Sequence, residues 1–162
     1  MEILKVYEYA LQREYEGKRF FEDNASRLSH AAVIDIFKRL AREEQKHIEY
    51  IQMQINALMG KNKEKETQPE FDQAGFFSSR AVSEMIDQTM AEAMVPDLPV
   101  LRMAYLIERD FAEFYGQAAS KTEGEAKGVL ENLAHWEKRH ESLFKSLHDK
   151  AFEEYSKMPW GG

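Results

Sequence analysis

Apolar residues recur at helical spacing in four long segments of the chain, at roughly residues 2–27, 30–59, 98–121 and 124–156. Short turn signals separate the members of each pair, with Ser29 and His30 in the first turn and Gly124 in the second. A long connection, residues 60–97, lies between the pairs. A chain of this length can return along a helix of about 28 residues, which is roughly 42 Å long. The pattern predicts an all-α bundle of two helical hairpins joined by a long crossover.

The crossover carries a shorter helical pattern of its own. Its first part, residues 61–66, is a run of charged and polar residues that we interpret as solvated. Ser78 or Ser79 is the predicted N-cap of the short helix, and Pro96 is expected to end the helical stretch. The apolar positions of this pattern are Val82, Met85, Ile86, Met90 and Met94. One domain is therefore predicted over residues 1–157, with residues 158–162 as a tail.

The two hairpins look like one unit written twice. A shift of 94 residues superposes the first segment on the third, and a shift of 93 superposes the second on the fourth. The difference of one residue falls in a hairpin turn, where a deletion is tolerated. The repeat pairs three sets of polar residues, namely Glu14 with Glu108, Glu44 with Glu137, and His47 with His140.

These polar residues interrupt helix faces that are otherwise apolar. Residues three apart share a helix face, so each Glu-x-x-His motif can aim both side chains inward. The inward faces of the first and third helices are Ile3, Tyr7, Ala10, Glu14, Gly17 and Phe21, and Leu101, Ala104, Glu108, Phe111 and Tyr115. Those of the second and fourth are Phe37, Leu40, Glu44, His47, Ile51 and Leu58, and Leu130, Leu133, Glu137, His140, Phe144 and Leu147.

Four carboxylates in one buried layer would repel each other strongly and would cost several kcal/mol each if left unpaired. Two divalent cations would cancel their charge, and two imidazoles would complete the ligand sets as neutral donors. A lone Glu-x-x-His motif is common by chance, but here two copies occur on apolar faces, each with a glutamate at matching height. The sequence predicts a two-metal site held by Glu14, Glu44, His47, Glu108, Glu137 and His140.

Two neighbouring glutamates are set aside as ligands. Glu16 lies about 200° around the helix from Glu14 and should point away from the site. The repeat places Trp136 at the position equivalent to Glu43, which argues against Glu43 as a symmetric ligand. We therefore expect neither side chain to contribute to metal binding.

Among the tyrosines, Tyr105 lies one turn before Glu108 and is the predicted hydrogen-bond partner of a ligand, or proton donor. Tyr7 and Tyr115 are interpreted as core aromatics. The histidines outside the repeat are interpreted as turn, surface or packing residues, namely His30, His135 and His148.

Composition narrows the function further. The net charge of -7 argues against a surface for nucleic acid or for an anionic membrane. The chain contains no cysteine, which excludes disulfides, thiolate metal sites and iron–sulfur clusters within it. No stretch approaches the roughly 18 apolar residues of a membrane span. Residues 1–5 lack a signal-peptide layout, so we expect a cytoplasmic protein.

With Glu14, Glu44, Glu108 and Glu137 combined with the two motif histidines, the chain resembles the ferritin-like superfamily, and most closely its rubrerythrin branch. The resemblance implies a non-haem di-iron site with bridging and terminal carboxylates and one histidine for each iron. Typical rubrerythrins add a cysteine-ligated, rubredoxin-like iron domain, which a chain without cysteine cannot form. Many also carry an extra carboxylate on the third helix, where this chain has Tyr105 one turn before the ligand.

The leading hypothesis is a di-iron oxidoreductase that reduces hydrogen peroxide, or dioxygen, with electrons from an external donor such as a rubredoxin-like protein. We expect it to act as a homodimer. One alternative is a ferroxidase for iron storage or detoxification, although the C-terminal residues show no fifth helix of ferritin type. Another is a non-enzymatic bundle stabilised by metal. Carboxylate–imidazole sites also accept manganese and zinc, so the ligands alone leave the metal open.

Overall fold

The computed structural model describes residues 2–61 and 86–159, and the described parts consist of helices joined by short turns, without a β-strand. The four long helices are α1 (Ile3–Ala25), α2 (Ala31–Leu58), α4 (Leu98–Ser120) and α5 (Glu125–Lys157). A short helix, α3 (Gln88–Ala93), and a 3₁₀ turn (Val95–Asp97) precede α4. The predicted ends of the four long segments lie within two residues of those observed.

Two antiparallel hairpins form the bundle, because α1 packs along α2 and α4 packs along α5. In the first turn, His30 is the N-cap of α2, and its Nδ1 accepts a hydrogen bond from the backbone N–H of Ala32 at 3.1 Å. In the second turn, Gly124 has φ of 72°, in the left-handed region that favours glycine. The predicted all-α fold of two hairpins is confirmed.

The described end of the crossover joins the core. Asp87 caps α3, since its Oδ1 accepts a hydrogen bond from the backbone N–H of Met90 at 2.8 Å. Met90 and Met94 are buried against the bundle, as the helical pattern predicted. The helix α3 ends before Pro96, which lies in the 3₁₀ turn. Ile86, another position of that pattern, is buried in the same apolar cluster as Met90 and Met94. The other positions lie outside the described residues, namely Ser78, Ser79, Val82 and Met85.

A buried carboxylate ties the crossover to the first hairpin turn. Asp97 is 4% exposed, and it accepts hydrogen bonds from the backbone N–H and the hydroxyl of Ser29 at 2.9 and 3.2 Å. This pairing fixes the start of α4 beside the turn between α1 and α2. The crossover therefore ends at the same end of the bundle as that turn.

The apolar core is divided into two clusters. Phe21, Phe37 and Phe144 pack together in one of them with ring centroids 5.4–5.5 Å apart, and the crossover methionines join the same cluster. Tyr50 and Tyr115 belong to the other. Each inward helix face passes from one cluster to the other through buried polar residues. The core is thus interrupted by a charged layer.

One position departs from the predicted inward face of α2. Leu58 is 51% exposed, whereas Ile55 one turn earlier is buried. Leu58 is the last residue of the helix, and its turn extends past the apolar cluster that covers Ile55. The placement of Leu58 in the core was therefore wrong.

Among the described residues, no helix is both long and apolar enough to cross a membrane.

Candidate metal centre

Each long helix contributes at least one side chain to the buried polar layer. The helices α1 and α4 each provide one glutamate, and α2 and α5 each provide a glutamate and a histidine. None of these side chains is more than 4% exposed. They form two overlapping groups with potential ligand atoms within 4.8 Å of one another, Glu14, Glu44, His47 and Glu137, and Glu44, Glu108, Glu137 and His140.

The two histidines face the carboxylates through the same ring nitrogen. His47 Nδ1 lies 2.9 Å from Glu137 Oε1 and 3.4 Å from Glu14 Oε2. His140 Nδ1 lies 3.6 Å from both Glu108 Oε2 and Glu137 Oε2. The imidazole rings are nearly parallel, with their centroids 5.8 Å apart. The repeat therefore produces two matching halves of one site.

Glu44 and Glu137 belong to both halves. Glu44 Oε2 is 3.8 Å from His47 Nδ1, whereas its Oε1 is 3.9 Å from His140 Nδ1. Glu137 likewise has Oε1 next to His47 and Oε2 next to His140. Each of these carboxylates thus presents one oxygen to each half. This is the arrangement in which a carboxylate can bridge two metal ions.

The carboxylates are poorly matched by protein donors. Within the described part of the chain, neither oxygen of Glu44 or of Glu108 receives a hydrogen bond. A buried charged group without a partner is unfavourable by several kcal/mol, so these oxygens fit a layer that is completed by cations. The donor set of carboxylates and imidazoles suits iron, manganese or zinc.

Burial and crowding shift the pKa values in the layer. Burial, followed by the charges of Glu137 and Glu44, raises the pKa of both Glu14 and Glu108 well above the ordinary value of 4.5. Burial alone would lower the pKa of His47, but the neighbouring carboxylates of Glu14 and Glu137 raise it. Burial would raise the pKa of Glu137, but His47 lowers it. The metal-free layer therefore favours taking up protons, which metal ions would displace.

A family comparison agrees with this geometry. The family model described as Rubrerythrin matches residues 5–148, a span that includes the whole polar layer. The chain belongs to the rubrerythrin family. Neither a curated protein nor a solved structure gives a significant match. Family membership supports a di-iron protein, and the buried Glu/His groups are where this chain could hold the metal.

Tyr115 contacts the polar layer. Its hydroxyl donates a hydrogen bond to Glu14 Oε1 at 2.6 Å. Burial and the charge of Glu14 raise the pKa of Tyr115 well above 10.0, so the phenol stays protonated and remains a donor. Interpreting Tyr115 only as a core aromatic missed this contact. The repeat gave no signal for it, because the equivalent residue in the first hairpin is Phe21.

Tyr105 has a different environment. Its ring packs edge-on against His148, with centroids 5.3 Å apart, and it borders the cluster that contains the crossover methionines. The assignment of Tyr105 as a proton donor therefore stays a prediction. His148 is a packing residue, as interpreted from the sequence, and it also stacks on Phe152.

The two rejected glutamates lie outside both groups. Glu16 is exposed and forms an ion pair with Arg13 at 2.7 Å. Glu43 is only 3% exposed and pairs with Lys46 at 3.2 Å. The burial of Glu43 was not expected. It arises because the buried surface of α2 includes a second row, with Ile36, Glu43 and Tyr50 seven residues apart.

Proposed function

We propose that this protein is a non-haem di-iron oxidoreductase that reduces hydrogen peroxide with electrons from an external donor. The observation that carries the proposal is the pair of overlapping ligand groups, in which Glu44 and Glu137 each present one oxygen to either half. With metal bound, Glu44 and Glu137 would be the carboxylates that both ions share, and such shared ligands could adapt to a change in the charge of the iron. This adaptability suits a site that cycles between two oxidation levels.

The six residues divide into roles under this proposal. Glu14 and His47 would hold one iron ion, and Glu108 and His140 would hold the other. When bound there, two ferrous ions would supply the two electrons that the reduction of one peroxide requires. The four carboxylates balance the charge of two divalent cations, which accounts for their presence in a layer with almost no exposure to water. Membership of the rubrerythrin family supports this assignment.

The surrounding residues would keep the ligands in place. Tyr115 fixes one oxygen of Glu14 by its hydrogen bond, which leaves Oε2 directed at His47. Such a partner of a ligand typically contributes about 10- to 100-fold to metal affinity or activity. Tyr105 remains the predicted proton donor, although its observed neighbour is His148.

Re-reduction requires a separate protein. The chain has no cysteine and therefore has no thiolate-bound iron centre to pass electrons to the buried layer. We propose an external donor of the rubredoxin-like type, and a homodimer as the working assembly. The absence of cysteine supports the external donor, and membership of the rubrerythrin family supports a redox partner.

An anaerobic titration of the diferrous protein with hydrogen peroxide tests the proposal. Oxidation should be complete at about one peroxide per pair of iron ions, because each pair of ferrous ions gives two electrons and each peroxide takes two. Turnover should resume only when a rubredoxin-like protein and its reductase are added. Glu14→Ala removes a proposed ligand and should impair the reaction. Its matched control is Glu16→Ala, since the Glu16 side chain is exposed on the same helix.

Other outcomes of the same titration would assign a different function. If peroxide leaves the diferrous protein unchanged while dioxygen oxidises it and iron accumulates, the protein is a ferroxidase of the storage or detoxification class. A particle of many subunits in solution would agree with that result, whereas a dimer would disagree with it. If neither oxidant reacts, the metal has a structural role only.

A further inference from the structure

A cavity of about 270 Å³ lies between α1 and α4, beside the metal centre. Its rim is formed by exposed residues, among them Tyr9, Glu16 and Asp110. Its inner wall includes Gly17 and Phe111, which are both buried. The cavity therefore leads from the surface towards the interior of the bundle. At about 30 Å³ for each water in the liquid, it has room for several small molecules.

The inner wall is thin at Gly17. A Cβ atom placed on Gly17 would stand 3.7 Å from Glu44 Oε2, one of the oxygens shared by the two ligand groups. The same atom would lie 3.0 Å from Cε2 and 3.4 Å from Cζ of the Phe111 ring. One side-chain atom at this position would thus touch both the metal centre and the cavity wall. Because Gly17 has no side chain, the cavity wall at Phe111 and the Glu44 carboxylate lie close to each other at this position.

The repeat shows that this opening is specific to one side of the site. Gly17 and Phe111 occupy equivalent positions in the two hairpins, 94 residues apart. The Phe111 ring lies over the space that a side chain of residue 17 would fill. A glycine inside a helix is destabilising relative to alanine, so this glycine needs a local reason. Close approach of the Phe111 ring and of the Glu44 carboxylate supplies one.

We propose that this cavity is the access path by which a small, uncharged oxidant reaches the metal centre, and that Phe111 over Gly17 limits the size of the molecule that passes. The nature of the oxidant rests on the proposed function, whereas the path rests on the geometry alone. The rim carries charges of both signs, since Arg13 pairs with Glu16 there, so rim charge does not select the molecule that enters. The inner wall at Phe111 is apolar, so a charged molecule would lose its hydration there, whereas a neutral molecule of two heavy atoms would not carry that cost.

Nitric oxide is a suitable probe, because it is neutral, diatomic and forms coloured adducts with ferrous iron. Its binding to the anaerobic diferrous protein is followed by stopped-flow absorbance. In Gly17→Ala the added methyl narrows the passage between the cavity and the metal centre, so nitric oxide binding should be about tenfold slower. That change corresponds to an activation barrier for binding that is higher by about 1.4 kcal/mol. The final amplitude per iron should be unchanged. The tight contact of the methyl is with the far end of the Phe111 ring, and its contact with Glu44 Oε2 at 3.7 Å is an ordinary van der Waals distance, so this variant should fold.

The matched control is Gly116→Ala. Gly116 is an exposed helical glycine on α4, and a Cβ placed there meets nothing within 4 Å. Nitric oxide should bind to Gly116→Ala at the same rate as to the unmodified protein. Phe111→Leu shortens the side chain over Gly17 and should speed nitric oxide binding. It should also increase the rate of oxidation by tert-butyl hydroperoxide relative to that by hydrogen peroxide.

An unchanged nitric oxide rate in Gly17→Ala, with full iron content, would overturn the proposed path. If Gly17→Ala loses iron, Phe111→Leu decides the question, and an unchanged rate and peroxide preference there would overturn it equally. Nitric oxide reports access to the iron whatever the natural oxidant is. If the rates shift as expected while hydrogen peroxide fails to oxidise the unmodified protein, the access path stands and the proposed function fails.

Discussion

Replacing Glu108 with glutamine should have opposite effects on the metal-free and the metal-loaded protein. Glu108 is fully buried, and neither of its oxygens receives a hydrogen bond among the described residues. Burial and the charges of Glu137 and Glu44 raise its pKa, so its ionised form is unfavourable in the metal-free fold. Glutamine keeps the shape, removes the charge and offers a donor to the neighbouring carboxylates. We expect Glu108→Gln to stabilise the metal-free protein by about 1–3 kcal/mol.

In the metal-loaded protein the same change removes a ligand from one group only. Glu108 belongs to the group of His140 and not to that of His47. Iron content should therefore fall from two ions towards one, and the stabilisation gained on adding metal should shrink. Glu44→Gln should reduce binding at both positions, because Glu44 belongs to both groups.

The assay combines urea unfolding of chelator-treated protein at about pH 8 with iron analysis after anaerobic loading. Glu43→Gln is the matched control, since Glu43 is also a buried glutamate but lies outside both groups and pairs with Lys46. It should retain two ions and should not stabilise the metal-free protein. A Glu108→Gln variant that is less stable without metal would refute the reasoning, because the carboxylate would then be holding the fold together.

Three other perturbations test the site. Tyr115→Phe removes the donor to Glu14 and should weaken binding of one ion by about 10- to 100-fold in a chelator competition, with the second ion less affected. Glu14→Ala should impair metal loading, whereas Glu16→Ala should not, and equal effects would show that the helix face is misassigned. Because the pKa values of Glu14 and Glu108 are raised, the folded metal-free protein binds their protons more tightly than the unfolded chain. Its stability should fall as the pH rises above about 4.5, and the gain in Tm on adding metal should widen between about pH 5 and pH 8. A gain in Tm that is independent of pH would contradict this.

The helices and the polar layer could be predicted from sequence because they depend on periodicity and on the internal repeat. The ends of α2, for example, follow from a turn at His30 and from the loss of apolar spacing after Leu58. The repeat singled out Glu44 and Glu137, and the structure places both between the two histidines. Agreement between two copies of one pattern is what distinguished these glutamates from many others.

Sequence spacing could not predict how much of each helix surface is buried or which side chains contact each other across helices. Helical angle separates Glu43 from Glu44 by about 100°, but it does not say how wide the buried surface of α2 is. That width, and with it the second buried row, depends on how the bundle packs around the helix. The hydrogen bond from Tyr115 to Glu14 joins residues 101 positions apart and has no counterpart in the repeat. The asymmetry between Gly17 and Phe111 likewise gains meaning only from their contact.

The central claim is that one chain holds two metal ions between Glu44 and Glu137. An anomalous difference map from a crystal of the iron-loaded protein tests it most directly. We predict two peaks inside the bundle, one beside Glu14 and His47 and the other beside Glu108 and His140. A single peak, or peaks found only at surface histidines such as His135, would contradict the account.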